Sequence, residues 1–165
     1  MAERFQTSPL DCTREGGAYI LELQVPDLLQ LRVGRLGLLA VPAGRYIYLG
    51  SAYGPGGLAA RVSRHLRTEG RRLHWHIDYL TAAVGVEAVR VIPGGNECAL
   101  VSSLQAHAST SVPFPGFGSS DCQCCPAHLL SVAPGLELTQ GIRLVIAAEG
   151  DGSEAQEDRT FRSPL

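Results

Sequence analysis

Lysine is absent from this sequence, and all 14 of its basic residues are arginine. Long apolar runs are absent too, since the longest stretch without a charged residue, 98–120, is rich in Ser, Gly, Pro and Gln. That composition excludes a membrane span there, and the first residues lack the apolar run of a secretory signal. The net charge of −2 excludes a histone-like or polybasic protein. We therefore expect a cytoplasmic protein without a membrane segment.

Enough apolar residues are present to build one ordinary core. The chain has 165 residues, of which 45% are hydrophobic, as is typical of a single compact domain. We expect this domain to occupy residues 16–148. The polar residues 1–15 and the acidic, turn-rich residues 149–165 predict flexible tails on either side of it.

Hydrophobic periodicity predicts an α/β fold of the α+β type. Residues 17–25 place Tyr19, Leu21 and Leu23 on one face of a strand, whereas Leu58, Val62 and Leu66 recur at helical spacing. Asn96 is a typical N-cap before a further helix with a stripe of Leu100, Val101 and Leu104. The pattern predicts other strands at 31–33, 36–41, 46–49, 84–92 and 141–147, and a helix at 74–83. We expect a small, mostly antiparallel sheet flanked by helices.

Charge is distributed unevenly along the chain. Residues 1–92 hold 11 arginines against 8 acidic residues, a net charge of +3, and residues 93–165 hold 3 against 8, a net charge of −5. Five arginines fall within twelve residues, offset only by Glu69: they are Arg61, Arg64, Arg67, Arg71 and Arg72. Charge alone favours a solvated helix face for this cluster, and a phosphate-binding surface is the alternative.

Three of the five cysteines, Cys122, Cys124 and Cys125, form a dense group near the end of the domain. Five cysteines without a visible secretory signal indicate reduced thiols rather than a disulfide framework. Cys122, Cys124 and His128 lie within Cys-Gln-Cys-Cys-Pro-Ala-His and are a candidate zinc-ligand set. Structural zinc sites usually have at least two residues between paired ligands and a second pair elsewhere, where only Cys98 stands out. The spacing therefore favours packed thiols over zinc.

A second metal-like string is His74-Trp75-His76-Ile77-Asp78. Histidine and aspartate in this order supply metal ligands in some metallohydrolases. Because no further histidine follows closely, the string favours a structural role, with His74 bonded to backbone near the start of a helix.

Five elements of another kind follow one another in a fixed order along the chain. They are Gly17-Ala18-Tyr19, Tyr48-Leu49-Gly50, Arg61 in a Leu-x-x-Arg-Val helix, His65 one turn later, and Glu97 at a helix start. In this order they resemble the GIY-YIG nuclease superfamily. A branch of small proteins in that superfamily is the closest resemblance. It is carried also by Pro-Ala-Gly-Arg-Tyr-Ile-Tyr-Leu-Gly-Ser-Ala (42–52), His-Trp-His-Ile-Asp-Tyr-Leu (74–80), Asn-Glu-Cys (96–98) and Gly-Phe-Gly-Ser-Ser-Asp-Cys (116–122).

This resemblance implies an endonuclease that hydrolyses phosphodiester bonds with one Mg²⁺ or Mn²⁺ ion. It implies Glu97 on the metal, Arg61 on the phosphate, and Tyr19 or Tyr48 as the general base. We expect Tyr19 to be the base and Tyr48 to orient water or phosphate, with the reverse as the alternative. A free phenol is ionised to only about one part in a thousand at pH 7, so either role needs a stabilised phenolate. His65 would polarise a tyrosine hydroxyl or contact phosphate.

The chain departs from the superfamily pattern at several positions, among them Ala18 and Leu49, which replace the central residues of the two tripeptides. The 29-residue step from Tyr19 to Tyr48 is longer than in compact members, and the resemblance to the branch of small proteins implies an inserted hairpin there. Many superfamily members carry an asparagine beyond the glutamate, whereas here no asparagine follows Asn96. Ser119, Ser120 and Asp121 occupy the region where it would be sought.

Nucleic acid is the partner that the resemblance implies, and DNA is expected rather than RNA. Its expected contacts are Arg64, Arg67, Arg71, Arg72, His74 and His76. Because no segment reads as a base-reading helix, we expect preference for structured or damaged DNA, in company with DNA-repair proteins. One alternative is a nucleic-acid-binding module with little or no turnover, favoured by the missing asparagine and the negative net charge. The other is a zinc-stabilised interaction domain.

Overall fold

The structure is a computed structural model, and it describes residues 14–67 and 69–136 together with the backbone of residues 159–162. Its elements in chain order are β1 (Gly17–Val25), β2 (Leu29–Val33), β3 (Gly37–Val41), β4 (Gly44–Ser51), α1 (Gly57–Leu66), α2 (His76–Val84), β5 (Ala88–Pro93), α3 (Glu97–Gln105), β6 (Thr110–Ser111), β7 (Leu129–Val132) and β8 (Arg159–Arg162).

A six-stranded sheet forms the centre of the described part of the domain. Its strand order is β6-β7-β4-β1-β5-β8, and each neighbouring pair runs antiparallel. β1 is therefore an inner strand, which explains why side chains on both of its faces are apolar and buried. The predicted small antiparallel sheet is confirmed.

Helices cover both faces of this sheet. Leu58 and Val62 of α1 and Leu80 of α2 pack with Tyr19 and Leu21 on one face. On the opposite face, the predicted stripe Leu100, Val101 and Leu104 of α3 packs against Ala18, Ile20, Ile47 and Leu49. The predicted N-cap of α3 is confirmed, since Asn96 Oδ1 accepts the Ala99 N–H at 3.1 Å.

The long step between the two tyrosine-bearing strands is an inserted hairpin, as predicted. β2 and β3 pair with each other in a separate two-stranded sheet. Val33 and Val41 are buried in the core on the α1–α2 face. The insertion therefore thickens that side of the domain without separating β1 from β4, which pair along eight residues from Ala18–Ser51 to Val25–Gly44.

Three strands differ from the sequence-based expectations. β6 and β7 lie in a region predicted to hold only loop and unassigned chain, and the tail predicted over 149–165 contains β8. That tail prediction is wrong for residues 159–162, where Arg-Thr-Phe-Arg pairs with β5 at the sheet edge. The strand predicted at 141–147 and residues 1–13 of the N-terminal tail lie outside the described residues. No helix of the described stretches has the length and apolar character needed to cross a membrane.

A glycine in the central strand pair β1–β4 leaves room for the ring of a tyrosine on the neighbouring strand. Gly50 of β4 lies opposite Tyr19 of β1, and the Tyr19 ring lies over it. A Cβ on residue 50 would come within 2.2 Å of Tyr19 Cζ. Real Cβ atoms do not approach this closely, so a side chain at this position displaces the ring or separates the strands.

We predict that Gly50→Ala lowers the free energy of unfolding by about 1–3 kcal/mol, because overpacking forces Tyr19 from its position. Gly54→Ala is the matched control, since its Cβ would meet only the end of the Arg61 side chain, at 3.5 Å. Urea denaturation of both variants measures the difference. Equal stability of the two variants would contradict the close approach.

Candidate functional site

A cavity of about 270 Å³ opens where the start of β1, the end of β4, α1 and the start of α3 meet. It brings together all five residues predicted to act in catalysis: Tyr19, Tyr48, Arg61, His65 and Glu97. Its other lining residues are Ser51, Trp75, Ile77, Gly118, Asp121, Cys122 and His128. Residues separated by as many as 109 positions in the chain therefore share one space.

Strand register places the two tyrosines on the same side of the sheet. Tyr48 lies opposite Leu21 and Tyr19 lies opposite Gly50. Tyr19 and Leu21 are two residues apart, so their side chains lie on one face, and the residues opposite them share that face. Both phenols thus reach the cavity on the face covered by α1, which an antiparallel pair of this register makes unavoidable.

Helix α1 supplies Arg61 and His65 from positions four residues apart, as predicted. The His65 side chain has no exposed surface, whereas Arg61 is half-buried. The Arg61 guanidinium carbon lies 4.4 Å from the centroid of the Trp75 ring. Trp75, the chain's single tryptophan, therefore orients the arginine by a cation–π contact. The sequence alone indicates Trp75 only as part of the His74–Asp78 string and gives it no role in the site.

Tyr19 and His65 form a buried pair. The Tyr19 hydroxyl lies 2.8 Å from His65 Nε2, and His65 Nδ1 lies 3.8 Å from a carboxylate oxygen of Asp78. His65 Nδ1 has no hydrogen-bond partner among the described residues. Because a lone pair on Nδ1 would be repelled by the carboxylate, the Asp78 charge favours the tautomer with the proton on Nδ1, in which Tyr19 donates to Nε2. Burial, with Arg64, Arg71 and Arg61 nearby, lowers the pKa of His65 to about 3 despite the opposing effect of Asp78. His65 is therefore neutral at pH 7.

Asp78 is held by bonds from two directions. Both of its oxygens accept from the Arg64 guanidinium, at 2.7 and 2.9 Å, and Oδ2 also accepts the backbone N–H groups of His74 and Trp75. Burial alone would raise the pKa of Asp78, but these bonds outweigh it and lower the pKa to about 2. This carboxylate caps α2 and joins it to α1, so Asp78 has a structural role. The bond at the helix start is made by the Asp78 side chain, to which His74 donates its backbone N–H, and not by the His74 side chain as expected.

Both tyrosines are harder to ionise in the folded protein than in water. Burial raises the pKa of Tyr19 well above its usual value, and the neighbouring Tyr48 adds to the effect. Burial likewise raises the pKa of Tyr48. Arg61 acts in the opposite direction on both groups. The phenols are therefore neutral at pH 7, and a base role depends on positive charge brought beside them or on a proton acceptor such as His65.

Two carboxylates reach the cavity from its other side. Glu97 is the first residue of α3 and is half-buried, and burial raises its pKa while Arg61 lowers it. Asp121 lies in the loop before β7 and also lines the cavity. It belongs to the segment where sequence analysis looked for the missing asparagine. The sequence signal that could have identified Asp121 as a site residue is its position at the end of the long uncharged stretch, directly before Cys122.

The resemblance to the nuclease superfamily implies Mg²⁺ or Mn²⁺ on Glu97, and the residues present fit such an ion. No hydrogen bond or ion pair within the described residues occupies the Glu97 carboxylate. Mg²⁺ retains several waters and needs few protein carboxylates. Glu97 supplies a hard oxygen donor of the required type, and Asp121 lines the same cavity.

The residues predicted to bind nucleic acid separate into two groups. Arg64 is bonded to Asp78. Arg71 donates to the carbonyl oxygens of Arg64, His65 and Asp78 and to the Thr81 hydroxyl. His76 Nδ1 accepts the Gly118 N–H at 3.0 Å. In contrast, Arg67, Arg72 and His74 are exposed. The structure thus engages the first three inside the domain and leaves the last three on the surface.

The predicted zinc-ligand set is corrected in its composition. Cys124 is exposed and is not part of the ligand cluster, whereas Cys122 and His128 lie close to Cys98 and Cys125. The reason is visible in the spacing, because two residues separate Cys122 from Cys125 and two separate Cys125 from His128. That spacing satisfies the two-residue rule that Cys124 breaks.

A family model described as "Domain of unknown function DUF123" matches residues 18–148, which is 131 of the 165 residues. No curated protein and no solved structure matches the chain. The match begins within β1 and includes the whole cavity, with both tyrosines, α1, Glu97 and the loop before β7.

We predict that acid destabilises the domain through His65. Its pKa is about 3 in the folded state and about 6.5 in an unfolded chain, so the unfolded state alone takes up its proton between these values. Stability is therefore full above pH 6.5 and falls by about 1.4 kcal/mol for each pH unit below it. Asp78, with its pKa of about 2, stays charged over this range.

Urea denaturation at pH 7 and pH 5 measures this effect, which amounts to about 2 kcal/mol for His65. We expect His65→Gln to lose less stability between these two pH values than the parent protein does. His107→Gln is the control, because His107 is exposed. If the two variants lost the same amount as the parent, the assignment of the acid sensitivity to His65 would be wrong.

Proposed function

Because the chain belongs to the GIY-YIG-like family described as Domain of unknown function DUF123, we propose that it is a metal-dependent endonuclease. The observation that supports this proposal is the convergence of Tyr19, Tyr48, Arg61, His65 and Glu97 on one cavity. A proton acceptor, a cation for phosphate and a carboxylate for a metal ion are the groups that phosphodiester hydrolysis requires.

Arg61 is the phosphate ligand in this proposal. Its guanidinium lines the cavity and is positioned by the Trp75 ring. A guanidinium binds phosphate oxygens in a bidentate manner and stays charged at every relevant pH. Negative charge that develops on the phosphoryl oxygens is therefore stabilised by Arg61.

Tyr19 and His65 form the proposed path for the proton of the attacking water. Water gives a proton to the Tyr19 oxygen while the Tyr19 proton passes along the 2.8 Å bond to His65 Nε2. Burial disfavours the imidazolium that results, since it lowers the pKa of His65 to about 3. The Asp78 carboxylate that faces the ring offsets part of this cost. This shared transfer avoids a free phenolate at rest, which burial makes costly. Tyr48 orients the water or the phosphate from the adjacent strand.

Glu97 would hold the Mg²⁺ or Mn²⁺ ion, with Asp121 as the second carboxylate of the same cavity. When bound, the ion would stabilise negative charge on the leaving oxygen and on the scissile phosphate. Glu97 and Arg61 thus act on the same phosphate group. Glu97 acts through the cation that it would bind, and Arg61 acts through its own positive charge.

Nucleic acid is the proposed substrate class, and structured or damaged DNA is the proposed form. The exposed Arg67, Arg72 and His74 supply sequence-independent contacts to the phosphate backbone. Association with DNA-repair proteins in the cytoplasm remains part of the same proposal. These contacts lie outside the cavity, so they affect binding and leave the chemical step unchanged.

A nucleic-acid-binding module without turnover is the second candidate. The observation that favours it is the raised pKa of both Tyr19 and Tyr48, caused first by burial. Should no cation enter the cavity, neither phenol ionises and the site only binds phosphate through Arg61. The two candidates differ in whether Glu97 matters for the outcome.

We expect cleavage of labelled nucleic acid that requires Mg²⁺ or Mn²⁺. The panel holds single-stranded, duplex, flapped, junction-bearing and abasic DNA, with matched RNAs. Glu97→Gln removes the proposed metal ligand and Arg61→Ala removes the proposed phosphate ligand, so each should lower the cleavage rate by about a hundredfold to a thousandfold. Gel analysis of product formation against time measures the rates.

Glu87→Gln and Arg32→Ala are the matched controls, because both residues are exposed and lie outside the cavity. They should cleave at the parent rate. Metal-dependent cleavage that Glu97→Gln leaves intact would refute the proposed site. Tight binding without cleavage, unaffected by Glu97→Gln, would favour the binding module.

Salt dependence separates the surface arginines from the bonded ones. Arg67→Ala and Arg72→Ala each remove one phosphate contact, so each should lower the slope of log K against log salt by about 0.7–0.9. Both variants should keep the parent's free energy of unfolding. Arg71→Ala should instead destabilise the fold, since Arg71 bonds α1 to α2. Fluorescence anisotropy at several salt concentrations measures the slopes, and unchanged slopes for both exposed positions would exclude them from the interface.

A further inference from the structure

Three thiols and one imidazole from separate parts of the chain converge at one side of the cavity. Cys98 lies in the first turn of α3, Cys122 and Cys125 lie in the loop before β7, and His128 directly precedes β7. One ligand atom from each lies within 4.8 Å of every other. Among the described residues, no other group of three or more His, Cys, Asp or Glu side chains brings its ligand atoms this close together.

The distances suit a shared ion rather than a disulfide. Cys98 Sγ and Cys122 Sγ are 3.6 Å apart, well beyond the S–S bond length of about 2.05 Å. Zinc–sulfur bonds of about 2.3 Å in a tetrahedron separate two sulfurs by about 3.8 Å. The observed pair is thus spaced almost as the two sulfurs of one zinc centre are.

His128 carries an unsatisfied nitrogen in this cluster. The residue is 3% exposed, and its Nε2 is buried without a hydrogen-bond partner among the described residues. Burying a polar atom in this way costs about 1–3 kcal/mol, and native proteins rarely leave such an atom without a partner. A metal ion beside the imidazole removes this cost.

We propose that Cys98, Cys122, Cys125 and His128 bind one Zn²⁺ ion in a tetrahedral site. Cys122-x-x-Cys125-x-x-His128 supplies three ligands at two-residue spacing, and Cys98 supplies the fourth from 24 residues upstream of Cys122. Thiolate and imidazole are the ligands that zinc prefers, whereas Mg²⁺ and Mn²⁺ prefer oxygen. Four protein ligands fill a tetrahedral shell, so the ion is structural and is distinct from the ion proposed on Glu97.

The site fastens the loop before β7 to α3 at the edge of the cavity. Glu97 directly precedes Cys98, and Asp121 directly precedes Cys122. Each cavity carboxylate is therefore one residue away from a zinc ligand, and the ion sets the separation of their backbones. The same loop brings Gly118 so near Tyr48 that a Cβ on residue 118 would be 2.7 Å from the ring.

Metal analysis of the purified full chain tests the site independently of any nuclease activity. The protein is produced with zinc in the medium and purified without chelator, and its metal content is measured by mass spectrometry. We expect one zinc per chain in the parent and in Cys124→Ser, and nearly complete loss in Cys122→Ser and Cys98→Ser. Cys124→Ser is a matched control, because this exposed thiol lies between two ligands but outside the cluster.

X-ray absorption of the parent protein needs no variant to fold. We expect three sulfurs at about 2.3 Å and one nitrogen at about 2.0–2.1 Å around zinc. A shell dominated by oxygen would overturn the site. So would a folded parent without metal, iron in place of zinc, or a Cys98–Cys122 disulfide seen as a mass lower by two hydrogens.

Amide hydrogen exchange tests the fastening role. After zinc removal by a chelator, exchange should rise at the start of α3, around Glu97, and in the loop that holds Asp121. The central strands β1 and β4 serve as the internal reference, because their pairing does not involve the ion. Unchanged exchange at both carboxylate-bearing segments would show that zinc does not position them.

Discussion

Asp78 is a buried carboxylate on which most of the cavity's geometry depends. A charge with no exposed surface persists only when it is fully bonded, and here the Arg64 guanidinium and two backbone N–H groups meet that requirement. These bonds join α1 to the start of α2 and place Trp75 against the helix. Trp75 then orients Arg61, and the Asp78 charge selects the tautomer of His65. One ion pair thus links the fold to His65, the proposed proton acceptor, and to Arg61, the proposed phosphate ligand.

The opposite wall of the cavity depends on a different constraint. Glu97 and Asp121 lie on α3 and on the loop before β7, elements that share no regular backbone pairing with α1. This wall has a cluster of soft ligands beside it instead of an ion pair. Close backbone approach at Gly50 and Gly118 brings both tyrosines between the two walls. The cavity therefore has its cationic side on helix α1 and its acidic side on the start of α3 and the loop before β7, beside the thiol cluster.

Sequence patterns predicted the features whose causes are local. The faces of β1, the stripe of α1 and the Asn96 cap follow from periodicity and from one short-range bond, so they could be read from a few adjacent residues. The strands β7 and β8 have four residues each, and β8 follows acidic residues typical of a loop, so pairing partners distant in the chain decided them. Arg64 and Arg71 resemble surface charges in the sequence, because nothing nearby reveals that Asp78 and Thr81 accept hydrogen bonds from them.

By itself, the sequence determined the type of fold and indicated the candidate catalytic residues, since motif order and residue type carry that information. Tertiary structure decided which of these residues share a space and what surrounds each of them. Burial, which no residue type encodes, makes His65 neutral and both phenols difficult to ionise. Convergence of distant segments selected Cys98 and Cys125 over Cys124 and brought Asp121 to the cavity. Contacts across many residues of chain exist only after the sheet has formed, and so only the folded protein shows them.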